Sequence, residues 1–191
     1  MITEIILASA SPRREQLLKQ IGVSFRVIPS EADESNTAVL RPDEYVKQCA
    51  LAKAKAVASR VSPADIVIGA DTVVALGEIV FGKPSDDADA ARMLRQLSGR
   101  THSVWSGLAV LAPQNRYVTA VETKVTLAEL STHQIERYVA SGEPMDKAGA
   151  YAIQGLGAVF VKRIDGCYYN VVGLPLQVLS GQLNQLGVLL P

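Results

Sequence analysis

The stretch DIVIGADTVVAL, residues 65–76, constrains the fold more than any other part of the chain. Its apolar residues run on without a break instead of alternating with polar ones, the pattern of a strand covered on both faces. Such a strand lies inside a sheet that other elements bury. Asp71 stands in the middle of it, with IVIGA before and VVAL after. A lone carboxylate in that position is costly unless it is hydrogen-bonded, paired or bound to a cation. Two readings stay open. The acid is satisfied by backbone N–H groups at a bend, or it is a catalytic or metal-binding group on the floor of a cleft.

The surrounding pattern mixes strands and helices. EIILA (4–8) predicts a first strand. A helix follows, with Ser11 as N-cap, Pro12 at its first position and Gly22 as its stop. Residues 23–29 predict a second strand, 30–44 a loop, and 42–60 an alanine-rich helix. GEIVFGKP returns the chain after Gly77, and Ser85 is expected to cap a helix with Asp86, Asp87 and Asp89 in its first turn, ending at Gly99. Two longer strands are expected at 102–112 and 117–130. Ser131 and Gln134 have capping-box spacing for a helix ending at Gly142. Residues 143–155 are too broken by Gly and Pro to make one element. Residues 157–164 and 167–175 are expected to form a hairpin around Asp165-Gly166, before a last helix near Pro175. This is an α/β chain with a mixed sheet, and no linker-like shift in composition divides it, so residues 1–191 are expected to form a single domain.

Several function classes are disfavoured at once. Lys and Arg together number 19, as do Asp and Glu, and the pI is near 6.7, without the basic stripe of a nucleic-acid binder. No apolar run reaches the roughly 18 residues that span a bilayer. The first residues lack a signal-peptide pattern, so a cytoplasmic protein is expected, with no membrane partner. Cys49 and Cys167 are too few for a zinc site or a disulfide framework, and reduced packing cysteines are the expectation.

Three features fit badly with packing alone. Arg13 and Arg14 fall in the first turn of a helix, whose positive end prefers acids. Either they pair with surface acids, or they join Ser9, Ser11 and the helix N–H groups in an anion site. Asp71 is the second feature. The third is the placing of Lys53 in an alanine-rich helix, Lys83 between Gly and Pro, and Lys147 in MDKAG. Each is either a solvated lysine or part of a polyphosphate site. Asp33, Glu34 and Asp71 are carboxylates suited to Mg²⁺, which binds through one or two carboxylates plus substrate phosphates. There is no GxxxxGK[ST] and no GxGxxG after a strand. His102 and His133 have no triad pattern.

Taken in order, LASASPRREQLL, LAKAKAV, GADTVV, GKP, LSGRTHSV, SGEPMDKAGAYAIQG and GCYYNVVGLP resemble the Maf family over nearly the whole chain. That family, also called the septum-formation inhibitor family, comprises nucleoside triphosphate pyrophosphatases, and DKAGAYAIQG is similar to its dTTP/UTP branch. The resemblance implies an elongated mixed sheet flanked by helices with a central cleft, as in inosine triphosphate pyrophosphatases. It implies hydrolysis of dTTP, UTP and related modified pyrimidine nucleotides to the monophosphate plus pyrophosphate, with Mg²⁺ or Mn²⁺. On this resemblance Asp71 is the proton acceptor, with metal contact as its other role. Arg13, Thr72 and Gln154 match the specificity positions, and Ser11, Glu34, Lys53 and Lys83 match further polar positions of the site. Arg14 joins the substrate cations and Glu34 the metal ligands. The family motif LAxxKA reads CALAKA here, with Cys49 in place of Leu and Lys53 still in register. A homodimer is a further implication. The other functional class is a nucleotide-binding regulator of septum formation without turnover.

Overall fold

Residues 4–32 and 41–190 are described in the computed structural model, so Asp33 and Glu34 lie outside the described residues. Seven strands among them form one sheet: β1 (Ile5–Leu7), β2 (Arg26–Val27), β3 (Ile66–Leu76), β4 (Ile79–Phe81), β5 (Thr101–Ala112), β6 (Asn115–Leu127) and β7 (Val161–Asp165). Their order is β2-β1-β3-β5-β6-β7, with β4 added to β3. β1 runs parallel to β2 and β3, whereas β4 is antiparallel to β3 and β7 to β6, so the sheet is mixed as expected. The helices are α1 (Pro12–Gln20), α2 (Pro42–Ala58), α3 (Asp87–Leu97), α4 (Thr132–Ala140), α5 (Tyr168–Val172) and α6 (Leu176–Gln185). None is long and apolar enough to cross a membrane.

The chain falls into two compact units. The first holds residues up to Asp71, Ser106–Val121 and Gly173 onward; the second holds Thr72–Trp105 and Glu122–Val172. In the first, α2 lies on the sheet through Ala50, Ala54 and Val57, which pack with Ile6, Val67 and Ala109. The fit is close. A Cβ added at Gly69 would stand 2.2 Å from the Ala50 carbonyl oxygen, and one at Gly107 would stand 2.0 Å from that of Val46. The alanines and glycines therefore let helix backbone rest on strand backbone, which explains the small residues of α2. In the second unit α3 and α4 bury Leu94, Leu97 and Ile135 with Val104, Val125 and Leu127 of the strands.

Most predicted elements are present, with a few differences. The strand expected at 23–29 shrinks to Arg26–Val27. Asp86, not Ser85, caps α3: its carboxylate accepts from the Asp89 N–H at 2.7 Å, while the Ser85 N–H donates to Asp89. Ser131 and Gln134 form the capping box of α4. The expected hairpin at 157–175 does not form. Only Val161–Asp165 is a strand, and Tyr168–Val172 coils into α5. Asn170 is fully buried there and donates to the Val104 carbonyl and the Thr123 hydroxyl, while the Cys167 N–H donates to the same hydroxyl. These bonds to β5 and β6 hold the segment in a turn that its aromatic and β-branched residues do not favour locally.

Candidate active site

In the first unit, Asp71 lies within unbroken β3 with no bend at its position. It is 8% exposed, and Lys53 of α2 reaches it with Nζ 2.6 Å from Oδ1. Strand alternation puts Val67, Gly69 and Asp71 on one face. The close seat of α2 at Gly69 brings Ala50 and Ala54 down onto that face, and Lys53 rides between them. The carboxylate is thus satisfied by a cation and not by backbone N–H groups at a bend.

The loop between β1 and α1 is organised around Ser9, which is 7% exposed. Its hydroxyl accepts from the Ser11 N–H and from Arg14 Nη1, both at 3.2 Å. Arg14 Nε also donates to the Gly173 carbonyl at 2.8 Å. Ser11 occupies the N-cap position, yet its hydroxyl makes no capping bond. Arg14 is therefore a brace for this loop, a role the sequence does not reveal. Arg13 is half-buried in the same first turn, where Glu15 supplies the one acidic residue.

The second unit carries Thr72, Lys83 and Gln154. Thr72 and Gln154 are half-buried and Lys83 is exposed. The Gly82 carbonyl before Lys83 accepts from the Gly149 N–H at 3.0 Å, tying GKP to the DKAG segment. Lys147 is folded onto the Glu143 carbonyl at 3.0 Å and the Asp146 carboxylate, so it is a local tie and not an outward phosphate cation. His133 is exposed. His102 is buried, with Nε2 2.7 Å from the Tyr151 hydroxyl, and burial pushes its pKa down to about 4, so it is neutral at pH 7. Cys49 and Cys167 are free thiols.

Sequence reasoning passed over Glu143. Its carboxylate accepts from the Leu156 and Gly157 N–H groups, both at 2.9 Å, and from the Tyr138 hydroxyl at 2.8 Å. Burial alone would raise its pKa; the two N–H donors, the tyrosine and Lys147 outweigh this and lower it. The available signal was the Gly155-x-Gly157 spacing beside Gln154.

Among the described residues no group of three or more His, Cys, Asp or Glu could hold a metal. Asp71 supplies one hard oxygen donor set, which fits a cation that takes most of its ligands from phosphate and water.

A family model described as Maf-like protein matches residues 4–186, and the chain belongs to the Maf family. It is 51% identical to a dTTP/UTP pyrophosphatase of Pelotomaculum thermopropionicum over 186 residues, covering 96% of this chain and 97% of that one. It is 50% identical to a dTTP/UTP pyrophosphatase of Gloeobacter violaceus, covering 97% of each chain. A solved nucleoside-triphosphatase / dITP/XTP pyrophosphatase of Mycobacterium abscessus matches at 18% identity and a TM-score of 0.48, covering 99% of this chain and 100% of that one.

Proposed function

We propose that the chain is a nucleoside triphosphate pyrophosphatase that hydrolyses dTTP and UTP, with modified pyrimidine nucleotides of the same pairing edge, to the monophosphate and pyrophosphate. The observation that carries this reading is the buried Lys53–Asp71 pair, 2.6 Å across, in a chain half identical to dTTP/UTP pyrophosphatases. A water oxygen bonds to the α-phosphorus, the bond from that phosphorus to the bridging oxygen breaks, and pyrophosphate leaves with the electron pair. Water is a poor nucleophile at pH 7, and Asp71 takes its proton. Lys53, already against Asp71, shares its charge with the phosphates. Arg13 and the N–H groups of α1 hold the anion, with Ser11 as a hydroxyl donor and Arg14 fixing the loop. Lys83 neutralises the leaving group. Thr72 and Gln154 contact the nucleoside. Asp71 and Glu34 are the residues proposed to hold Mg²⁺ or Mn²⁺, which when bound would supply charge neutralisation on the phosphates. The same reading places the chain in the cytoplasm, in keeping with its free thiols, and carries over the homodimer of the family resemblance.

The test is pyrophosphate release from dTTP, UTP, CTP and GTP with Mg²⁺ or Mn²⁺. Release from dTTP and UTP well above the others is expected; binding without release from any of them overturns the reading. Within that assay, Gln154→Leu should erase the preference. Uracil and thymine offer an N3–H flanked by two carbonyls, and one amide can meet a donor and an acceptor together. Leu keeps the volume and loses both bonds, a cost of roughly 1–3 kcal/mol for dTTP and UTP and much less for GTP. A uniform fall for all four nucleotides would remove Gln154 from base reading. Arg13→Ala should raise KM several-fold while leaving the melting temperature of the free protein nearly unchanged, since its charge opposes the helix dipole. A large drop in that melting temperature would make Arg13 a structural ion-pair residue.

A further inference from the structure

The stretch just after Gln154 is open, whereas Tyr151, Ala152 and Ile153 before it are buried. Leu156 and Val159 point outward, 61% and 79% exposed, and among the described residues no hydrogen bond fixes the Gln154 amide itself. Its backbone is nevertheless pinned on both sides. Two residues before it, the Ala152 N–H donates to the Tyr138 hydroxyl at 3.1 Å, and that hydroxyl donates to Glu143 Oε1. Two and three residues after it, the Leu156 and Gly157 N–H groups donate to the same carboxylate. Tyr138 cannot swing away, because it is buried and its ring meets Phe160 edge to face at 4.9 Å. The Glu143 main chain is tied down in turn by Lys147. The two glycines make room for this arrangement. A Cβ at Gly155 would stand 2.5 Å from Glu143 Oε2, and one at Gly157 would stand 2.6 Å from the Tyr138 hydroxyl oxygen.

We infer that Glu143 is a positioning residue for base selection, holding Gln154 in place through the Tyr138 hydroxyl on one side and the Leu156 and Gly157 N–H groups on the other. The inference rests on the proposed role of Gln154. Glu143 reads no base itself. It fixes the main chain from which the Gln154 amide projects, and a misplacement near 1 Å can cost on the order of 100-fold. Ionised Glu143 accepts all three bonds. In Glu143→Gln an amide NH₂ replaces one of the two oxygens and faces N–H donors.

The experiment measures kcat/KM for dTTP, UTP, CTP and GTP, with melting temperatures, in wild type, Glu143→Gln, Gln154→Leu and the variant carrying both. Glu143→Gln is expected to lower kcat/KM for dTTP and UTP by about 10–100-fold, chiefly through KM, with a much smaller change for GTP. Combined with Gln154→Leu, it should add no further loss of selectivity, because it acts through the residue already removed. Loss by one common factor for all four nucleotides, or selectivity losses that add, overturns the inference. If Glu143→Gln fails to fold, Tyr138→Phe, which keeps the ring and removes the hydroxyl, is read by the same two criteria. If wild type and Gln154→Leu behave as proposed while the brace variants keep wild-type selectivity, the inference alone falls. If wild type releases no pyrophosphate from dTTP or UTP, the proposed function falls first.

Discussion

Asp71→Asn is expected to cut pyrophosphate release by about 10²–10⁴-fold, the range for loss of a general base. It is also expected to lower stability. Asp71 and Lys53 have side chains only 11% and 14% exposed, and the amide removes the negative charge that faces the ammonium at 2.6 Å. Breaking a pair of this kind costs up to about 3 kcal/mol, tempered by the amide oxygen that still accepts a bond. The two losses separate in temperature: turnover should stay low well below the melting transition, where the variant is fully folded. Near-wild-type turnover there would take Asp71 out of the chemistry and leave the pair a purely structural one.

Gly69→Ala should be nearly as damaging, though it adds one methyl group and touches no substrate. The new Cβ would stand 2.2 Å from the Ala50 carbonyl oxygen and 2.9 Å from the Ala54 amide nitrogen. Both obstacles are backbone, so α2 or β3 has to move, at about 3 kcal/mol, the upper end for overpacking. Displacement at Ala50 and Ala54 carries Lys53 away from Asp71. Gly107→Ala is the matched comparison. Its Cβ meets the Val46 carbonyl oxygen at 2.0 Å, about two helical turns from Lys53. Both variants should melt lower, and Gly69→Ala should lose more kcat at a temperature where both are folded. Equal kcat would mean that the contact at Gly69 serves stability only.

The core of this molecule could be read locally, and its site only in part. β3 announced itself by an unbroken apolar run, and α4 by a capping box whose two halves are three residues apart. Asp71 stood out because a carboxylate does not belong in such a run. Its partner did not, since Lys53 lies 18 positions away and meets it only once α2 is seated on the sheet. α5 was misread for the same kind of reason. CYYNVV has strand composition, and what coils it is a set of bonds from Asn170 and Cys167 to Thr123, 47 and 44 positions upstream. The brace at Glu143 spans 13 and 14 positions to its two N–H donors. Arg14 shows the mixed case, since its residue type suggested an anion and its geometry gives it a scaffold role as well.

That scaffold role bears on how the protein is made. The Gly173 carbonyl that accepts from Arg14 lies 159 residues downstream of it. Chains leave the ribosome N-terminus first and at a finite pace. The serine-arginine loop therefore emerges well before the residue that completes its set of bonds. An unfinished chain that stops short of Gly173 carries every residue of the loop and lacks this fastening, so the loop has all its bonds only once Gly173 has been made.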